Sequence, residues 1–424
     1  MSISQNDLKK LLAANIIDKA TAGQIEAFFE NEKLHRPQLV TLIFGVLGTL
    51  LVGLGIILIL AHNWDYLPKT IKTGLAILLL VTGQVLALYA IVKKYHQKTW
   101  LETTAVFWTL MIGASISLIA QIYHISGDFN RFLITWLLLA LPVIYLMRSS
   151  LTAILYIIGV FIYGLRINFW HSTANIYAFS GLFLLILPYY IYLIRKQKDQ
   201  NALSFMHWFL TLTILFNFYH YYHNQSHLIF LGYATLFSIF YMISNRSYFS
   251  GQKLYKNAYK LTGILGASLL LIFLSFKTIW QQIIKNSVTD SLNSLAYVIT
   301  LLLLLTAGAL LFFLRKKSQK IQVFAYMFIW ISLNYLAGYI NPVIPFILIN
   351  LSVLFLGIYY ILKGQKLQSL WHANFGLILI SSLIISRFFD VKMSFTTRGL
   401  LFLLVGAGFF VANYRLLKKQ KQCV

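Results

Sequence analysis

Apolar residues fill this chain in runs of about twenty, separated by short polar gaps. The runs lie at 39–61, 69–92, 102–124, 129–147, 150–168, 173–194, 204–222, 226–243, 258–277, 292–314, 321–340, 342–362, 369–386 and 395–416. A helix needs about 17–25 residues to cross the hydrocarbon core of a bilayer. Each run therefore predicts one membrane span, and the expected fold class is all-α, a polytopic transmembrane helix bundle of about 14 spans. The gap at Met147–Leu151 is tight enough to predict a helical hairpin, and Asn341-Pro342 divides what would otherwise be one long run. Pro142, Pro188 and Pro345 fall inside runs, where neighbouring helices can satisfy the carbonyls that proline frees.

Residues 1–38 follow a different pattern. Leu8, Leu11 and Leu12 recur at helical spacing, and Ile25, Phe28 and Phe29 make a second stripe. Thr21 and Gln24 have the spacing of a capping box. Two short amphipathic helices are expected, joined around Asn15–Asp18, either lying against the inner ends of the spans or serving as a docking module. The segment is too polar for a signal peptide, which needs an early apolar core, so the run from Leu39 is expected to act as its own insertion signal. The expected organisation is a cytosolic helical segment at 1–38, a membrane bundle at 39–416 and a basic tail at 417–424.

Charge gives the bundle a direction. With the N-terminus inside the cell, the inner segments hold 26 of the 35 Lys and Arg and the outer ones 9. Cytoplasmic loops of membrane proteins are enriched in these residues. The alternation persists to the C-terminus, which predicts an even number of spans and both termini cytoplasmic.

Composition agrees. The chain is 59% hydrophobic and 11% charged, with mean hydropathy +0.74, against about 45–50% apolar and about 25% charged for a soluble domain. The net charge of +24 does not indicate nucleic acid, because nucleic-acid proteins gather basic residues on one face and here they are dispersed in short gaps. The expected partners are membrane lipids, with anionic headgroups meeting the inner charges, and no nucleic acid. Cys423 is the single cysteine and stands two residues too late for a prenylation motif.

Candidate chemistry gathers in the outer gaps, which hold four acids: Asp65, Asp128, Asp290 and Asp390. Asp65 follows Asn63-Trp64, Asp128 follows His124-Ile125-Ser126-Gly127, and Asp390 closes Arg387-Phe388-Phe389-Asp390. Arg131, Arg387 and Arg398 are expected on the same side. Opposed charges at a membrane edge suit a zwitterionic or phosphorylated headgroup; they equally suit structural ion pairs. In the third run Gly113, Ser117 and Gln121 recur at i, i+4 with His124 three further on. That places them on one face, expected to look into the bundle as helix packing or as a solute path. Gly45, Thr49 and Gly53 make a small-residue ridge for helix contact. His220, His223 and His227 resemble a ligand cluster but have no acidic neighbour, and tyrosines beside them fit an interfacial belt; no metal is expected. Gln84, Asn217, Asn334 and Asn350 are the expected buried polar groups, and no Asp, Glu, Lys or Arg lies near a span centre. Phosphate-loop, zinc-protease and nucleophile-elbow motifs are lacking, so no cofactor is expected. The candidate outer site is Asn63, Trp64, Asp65, Gln121, His124, Asp128, Arg131, Arg387 and Asp390.

The stretch Ala61-His62-Asn63-Trp64-Asp65-Tyr66-Leu67-Pro68 after a glycine-rich run, Gln121-Ile122-Tyr123-His124 with Gly127-Asp128, and the amphipathic N-terminus together resemble a bacterial family of predicted membrane proteins of unknown function, DUF2157. The resemblance covers about residues 1–150. Arg387-Phe388-Phe389-Asp390 and Arg398-Gly399 resemble the C-terminal part of longer members. The resemblance implies a bacterial cytoplasmic-membrane protein and supplies no catalytic residues.

Three functions follow as expectations. A transporter or lipid translocase predicts a hydrated cavity lined by the first and third spans. A membrane enzyme acting on a lipid-linked substrate predicts that Asp65, Asp128 and His124 converge, since acid–base chemistry needs a positioned proton acceptor. A non-catalytic scaffold predicts no cavity and an exposed apolar stripe on the N-terminal helices.

Overall fold

A computed structural model describes residues 64–168, 174–196, 200–222, 225, 227–246, 248–249, 254–289, 295–316 and 323–390, with scattered positions at 14, 18, 20–25 and 396–410. Most of the described residues are helical, and none lies in a strand. The chain divides into two compact units, Met1–Ala76 and Ile77–Val424.

In the first unit, residues 20–25 form a helical turn. Its cap is Asp18, whose carboxylate accepts the Thr21 N–H at 3.0 Å, so the capping-box expectation at Thr21 shifts by three residues. Bonds from the Thr21 side chain and N–H hold the Asp18 carboxyl below the ordinary aspartate range. A 3-10 turn at Trp64–Tyr66 precedes the first long helix, and Lys72 Nζ lies 5.4 Å from the centre of the Trp64 ring.

Among the described residues thirteen helices then run: α1 Lys69–Lys93, α2 Lys98–Ile122, α3 Phe129–Met147, α4 Ser150–Leu165, α5 Ile176–Lys196, α6 Gln200–Asn217, α7 Ile229–Ser244, α8 Ala258–Leu274, α9 Lys277–Thr289, α10 Leu295–Lys316, α11 Met327–Ile340, α12 Val343–Lys366 and α13 Leu370–Asp390. Each expected span from 69–92 to 369–386 contains a helix among the described residues. The expected spans 39–61 and 395–416 fall outside the described residues, apart from scattered helical positions in the second. Among the described residues nine helices are long and apolar enough to cross a membrane, or ten with the bent pair α8–α9 counted as one. Helices α4 and α7 have 16 residues each. A 3-10 turn at Arg166–Asn168 prolongs α4, and at about 1.5 Å per α-helical and about 2.0 Å per 3-10 residue the pair reaches about 30 Å.

The helices break at both Met147–Leu151 and Asn341-Pro342. Arg148 turns the chain between α3 and α4 in the left-handed conformation (φ 50°, ψ 41°), and Ser149 caps α4 by accepting the Thr152 N–H. Asn341 separates α11 from α12 and accepts the Val343 N–H through its side chain at 2.9 Å.

One expectation fails. The run 258–277 ends at Leu274, and the presumed loop after it is the helix α9, bent 88° from α8. Helix α9 buries Trp280 and Ile283 and exposes Lys277, Thr278, Gln281, Gln282 and Lys285, the two-faced pattern of a helix lying along an interface. Trp280 closes the bend by donating Nε1–H to the Leu274 carbonyl at 2.8 Å.

Three clusters of buried side chains run through the second unit: one around Ala87, Ala105 and Met147, one around Leu137, Tyr156 and Ile186, and one around Tyr241, Trp280 and Tyr360. Glycines bring α12 and α13 together: a methyl group on Gly376 would sit 2.5 Å from the Gly357 carbonyl oxygen. Outward faces are apolar, with Leu88, Leu301, Leu305, Phe312 and Leu336 all exposed. Such a surface suits lipid rather than water.

Cross-helix bonds establish which helix ends share a side. At one end Arg166 Nε donates to Asn130, His220 to the Gly164 carbonyl, Tyr222 pairs with Thr300, His227 with Tyr297, Tyr335 with the His227 carbonyl, and Trp280 packs on Tyr335. At the other end Glu102 meets residues 149–151, Arg148 lies over Tyr192, Tyr190 pairs with Tyr259 and Arg315 with Tyr326. The basic clusters of the inner gaps, from Lys93 through Arg195 and Lys260 to Lys363, therefore share the second end. Asp128 belongs to the first.

Candidate functional site

The motif that ends the third run builds a cavity. Helix α2 ends at Ile122, and Tyr123 and His124 leave it with N–H bonds back to Ile119 and Gln121. His124 adopts φ 50°, which swings the chain toward α3. Asp128 then starts α3, its carboxylate accepting the Asn130 N–H and side-chain N–H, both at 3.2 Å. Asn130 is buried and accepts Arg166 Nε at 2.8 Å, while the Arg166 guanidinium rests 5.0 Å from the Phe129 ring centre. The network ties the start of α3 to the end of α4.

Between these helix ends opens a cavity of about 930 Å³. Ser117, Gln121, His124, Asp128 and Arg131 give it polar groups, and Ile116, Ile119, Phe129 and Phe132 give it apolar walls. Gln121, His124 and Arg131 are exposed and Asp128 is half-buried. His124 Nδ1 lies 3.1 Å from the Gln121 carbonyl. A carbonyl only accepts, so Nδ1 is the donor in this bond. The site thus offers a guanidinium, an amide, an imidazole and a carboxylate beside a wall that tolerates hydrocarbon. Such a mixture orients an amphiphile, the polar groups choosing the headgroup and the wall taking the chain.

The structure brings together Gln121, His124, Asp128 and Arg131 of the expected site. The expected inward stripe divides: Gly113 is buried, against Trp136, whereas Ser117 and Gln121 face outward. Trp64 stands in its own turn in the first unit. Asn63, Arg398, Asp290, His223 and the first-run ridge of Gly45, Thr49 and Gly53 lie outside the described residues, as do the side chains of Asp65 and Asp390. Arg387 does not line the cavity. It donates to the Ser275 carbonyl at 2.7 Å and to the Ser275 hydroxyl at 3.2 Å, between the rings of Phe276 and Phe346. His220 and His227 bind the Gly164 carbonyl and the Tyr297 hydroxyl, and Gln84 is exposed rather than buried.

A second polar group lies at the opposite end of α2. Glu102 is buried. One carboxylate oxygen accepts the Ser150 N–H at 2.9 Å, and the other accepts the Leu151 N–H at 3.0 Å together with the Ser149 hydroxyl. Its acceptors are committed to the N-terminus of α4, 47 residues or more along the chain.

No curated protein and no solved structure matches the chain. The segment that holds the cavity and the Glu102 cap, residues 9–153, matches the model of the DUF2157 family, described as a predicted membrane protein.

Proposed function

We propose that this multi-pass membrane protein, placed in a bacterial cytoplasmic membrane with its basic end inside, binds the headgroup of a lipid in the outer leaflet and assists its movement between leaflets. The observation that carries the reading is the open cavity between α2 and α3, where Arg131, Gln121, His124 and Asp128 stand beside Ile116, Ile119, Phe129 and Phe132. A headgroup that carries both charges, or a phosphate with a hydroxyl-bearing substituent, matches those polar groups, and the apolar wall continues into exposed helix faces that lipid would cover. An enzymatic role draws less support, because both Asp128 oxygens serve to cap α3 through Asn130. The test is reconstitution into liposomes carrying a fluorescent phospholipid, with dithionite quenching of the outer leaflet. Protein-containing liposomes should expose inner-leaflet lipid faster than empty ones, and Arg131→Gln combined with Gln121→Leu should slow that exchange. Equal rates with and without protein, across zwitterionic and anionic lipids, would sink the proposal.

A further inference from the structure

A second cavity, of about 400 Å³, lies at the opposite end of the same helices. It is formed where the α1–α2 turn and the α3–α4 turn meet the end of α5. Its polar lining is Tyr95, His96, Lys98, Glu102, Arg148 and Tyr192, and its apolar lining includes Ile91, Leu101, Leu146 and Leu193. Three observations give it a sign and a ligand class. The one acid in it, Glu102, spends its oxygens on Ser149, Ser150 and Leu151. Arg148 is exposed, its guanidinium carbon 5.9 Å from the Tyr192 ring centre, and among the described residues no carboxylate forms an ion pair with it. Arg148 also holds a left-handed backbone, φ 50°, at a helix C-terminus where glycine is the usual occupant. Glycine would fit the turn with less strain, so the side chain, not the backbone, accounts for arginine there.

We propose that this cavity binds the phosphate headgroup of an anionic phospholipid. Arg148 and Lys98 take the phosphate oxygens, the phenol of Tyr95 or Tyr192 donates to the ester or glycerol oxygens, and Ile91, Leu101, Leu146 and Leu193 meet the first part of the acyl chains. Guanidinium suits the task because its planar donors match phosphate in pairs. The site lies among the basic helix ends, where an anionic leaflet would concentrate the ligand. It is independent of the outer-leaflet reading: either can fail alone.

The test uses the full chain, reconstituted in nanodiscs of mixed phosphatidylcholine and phosphatidylglycerol, with retained lipid identified by native mass spectrometry. The wild type should retain phosphatidylglycerol preferentially. Arg148→Gly removes the cation while easing the turn; it should melt no lower than wild type and lose the preference about fivefold, the share of one basic residue near a membrane surface. Arg148→Lys should keep most of the preference, which separates lost charge from altered folding. Lys366→Gln, at the same end outside the cavity, and Arg131→Gln, in the other cavity, should leave it unchanged. No preference in the wild type, undiminished preference in Arg148→Gly, or an equal loss in Lys366→Gln overturns the proposal. Displacement of the retained lipid by excess glycerol 3-phosphate would overturn its lipid assignment in favour of a soluble phosphate ester, and persistence of the lipid supports it.

Discussion

Glu102 shows what a single charge does when a helix start is buried with it. Desolvating a carboxylate is costly, but the first turn of α4 offers unpaired N–H groups and the positive end of a helix dipole. Ser150 and Leu151 supply the N–H groups and Ser149 a hydroxyl. Glu102→Ala strands these donors in a largely buried turn, and each buried unsatisfied group costs about 1–3 kcal/mol. The variant should melt at clearly lower temperature in detergent by circular dichroism; an unchanged midpoint would show that water or a shifted side chain replaces the cap. Glu102 opens the run 102–124, yet its partners are set by tertiary folding and leave no periodic trace. Asp128 is similar: its neighbourhood stood out as a motif, while its role in seating Asn130 against Arg166 depends on α4 arriving beside α3. Arg387 was matched to acids by charge alone, and the structure gives it a carbonyl instead.

At the scale of elements, hydropathy located most helices because a bilayer imposes length and apolarity together. It missed α9 because Lys277, Gln281, Gln282 and Lys285 lower the average across any long window. The signal was periodic rather than compositional: Ile279, Trp280, Ile283 and Ile284 recur at helical spacing, and Trp280 and Ile283 are the fully buried members of that face. The bend before α9 leaves carbonyls at the end of α8 without helical donors. Trp280 satisfies Leu274, while Asn350 at 3.0 Å and Arg387 at 2.7 Å satisfy Ser275. Three later elements therefore hold one break in place. Arg387→Met keeps the bulk near Phe276 and Phe346 but removes the donor. It should cost about 1–3 kcal/mol and raise amide exchange in α9 more than in α2. Uniform exchange across both helices would mean that Arg387 does not stabilise the break locally.

For the whole molecule, the alternation of charge along the chain becomes a separation in space. Arg148, Tyr192, Tyr190 and Tyr259 join one set of helix ends, and Asn130, Arg166, Gly164 and His220 join the other. The two sets do not mix across α2 to α13, which is what an antiparallel series of crossings requires. Because basic residues favour the cytoplasmic side, the Arg148 end should face the cytoplasm and the Asp128 cavity the exterior. Cysteine labelling decides this, since Cys423 is the only native thiol. In a Cys423→Ser background, Ser126→Cys and Ile340→Cys at one end, and Gln97→Cys and Leu367→Cys at the other, all occupy exposed positions. Spheroplasts treated with a membrane-impermeant maleimide should label Ser126→Cys and Ile340→Cys directly, and Gln97→Cys and Leu367→Cys only after permeabilisation. The opposite pattern in both pairs would invert the orientation and move the Asp128 cavity to the cytoplasmic leaflet. A split within either pair would break the two-ended arrangement itself, because it would require an odd number of crossings between helices that the cross-helix bonds place in antiparallel order.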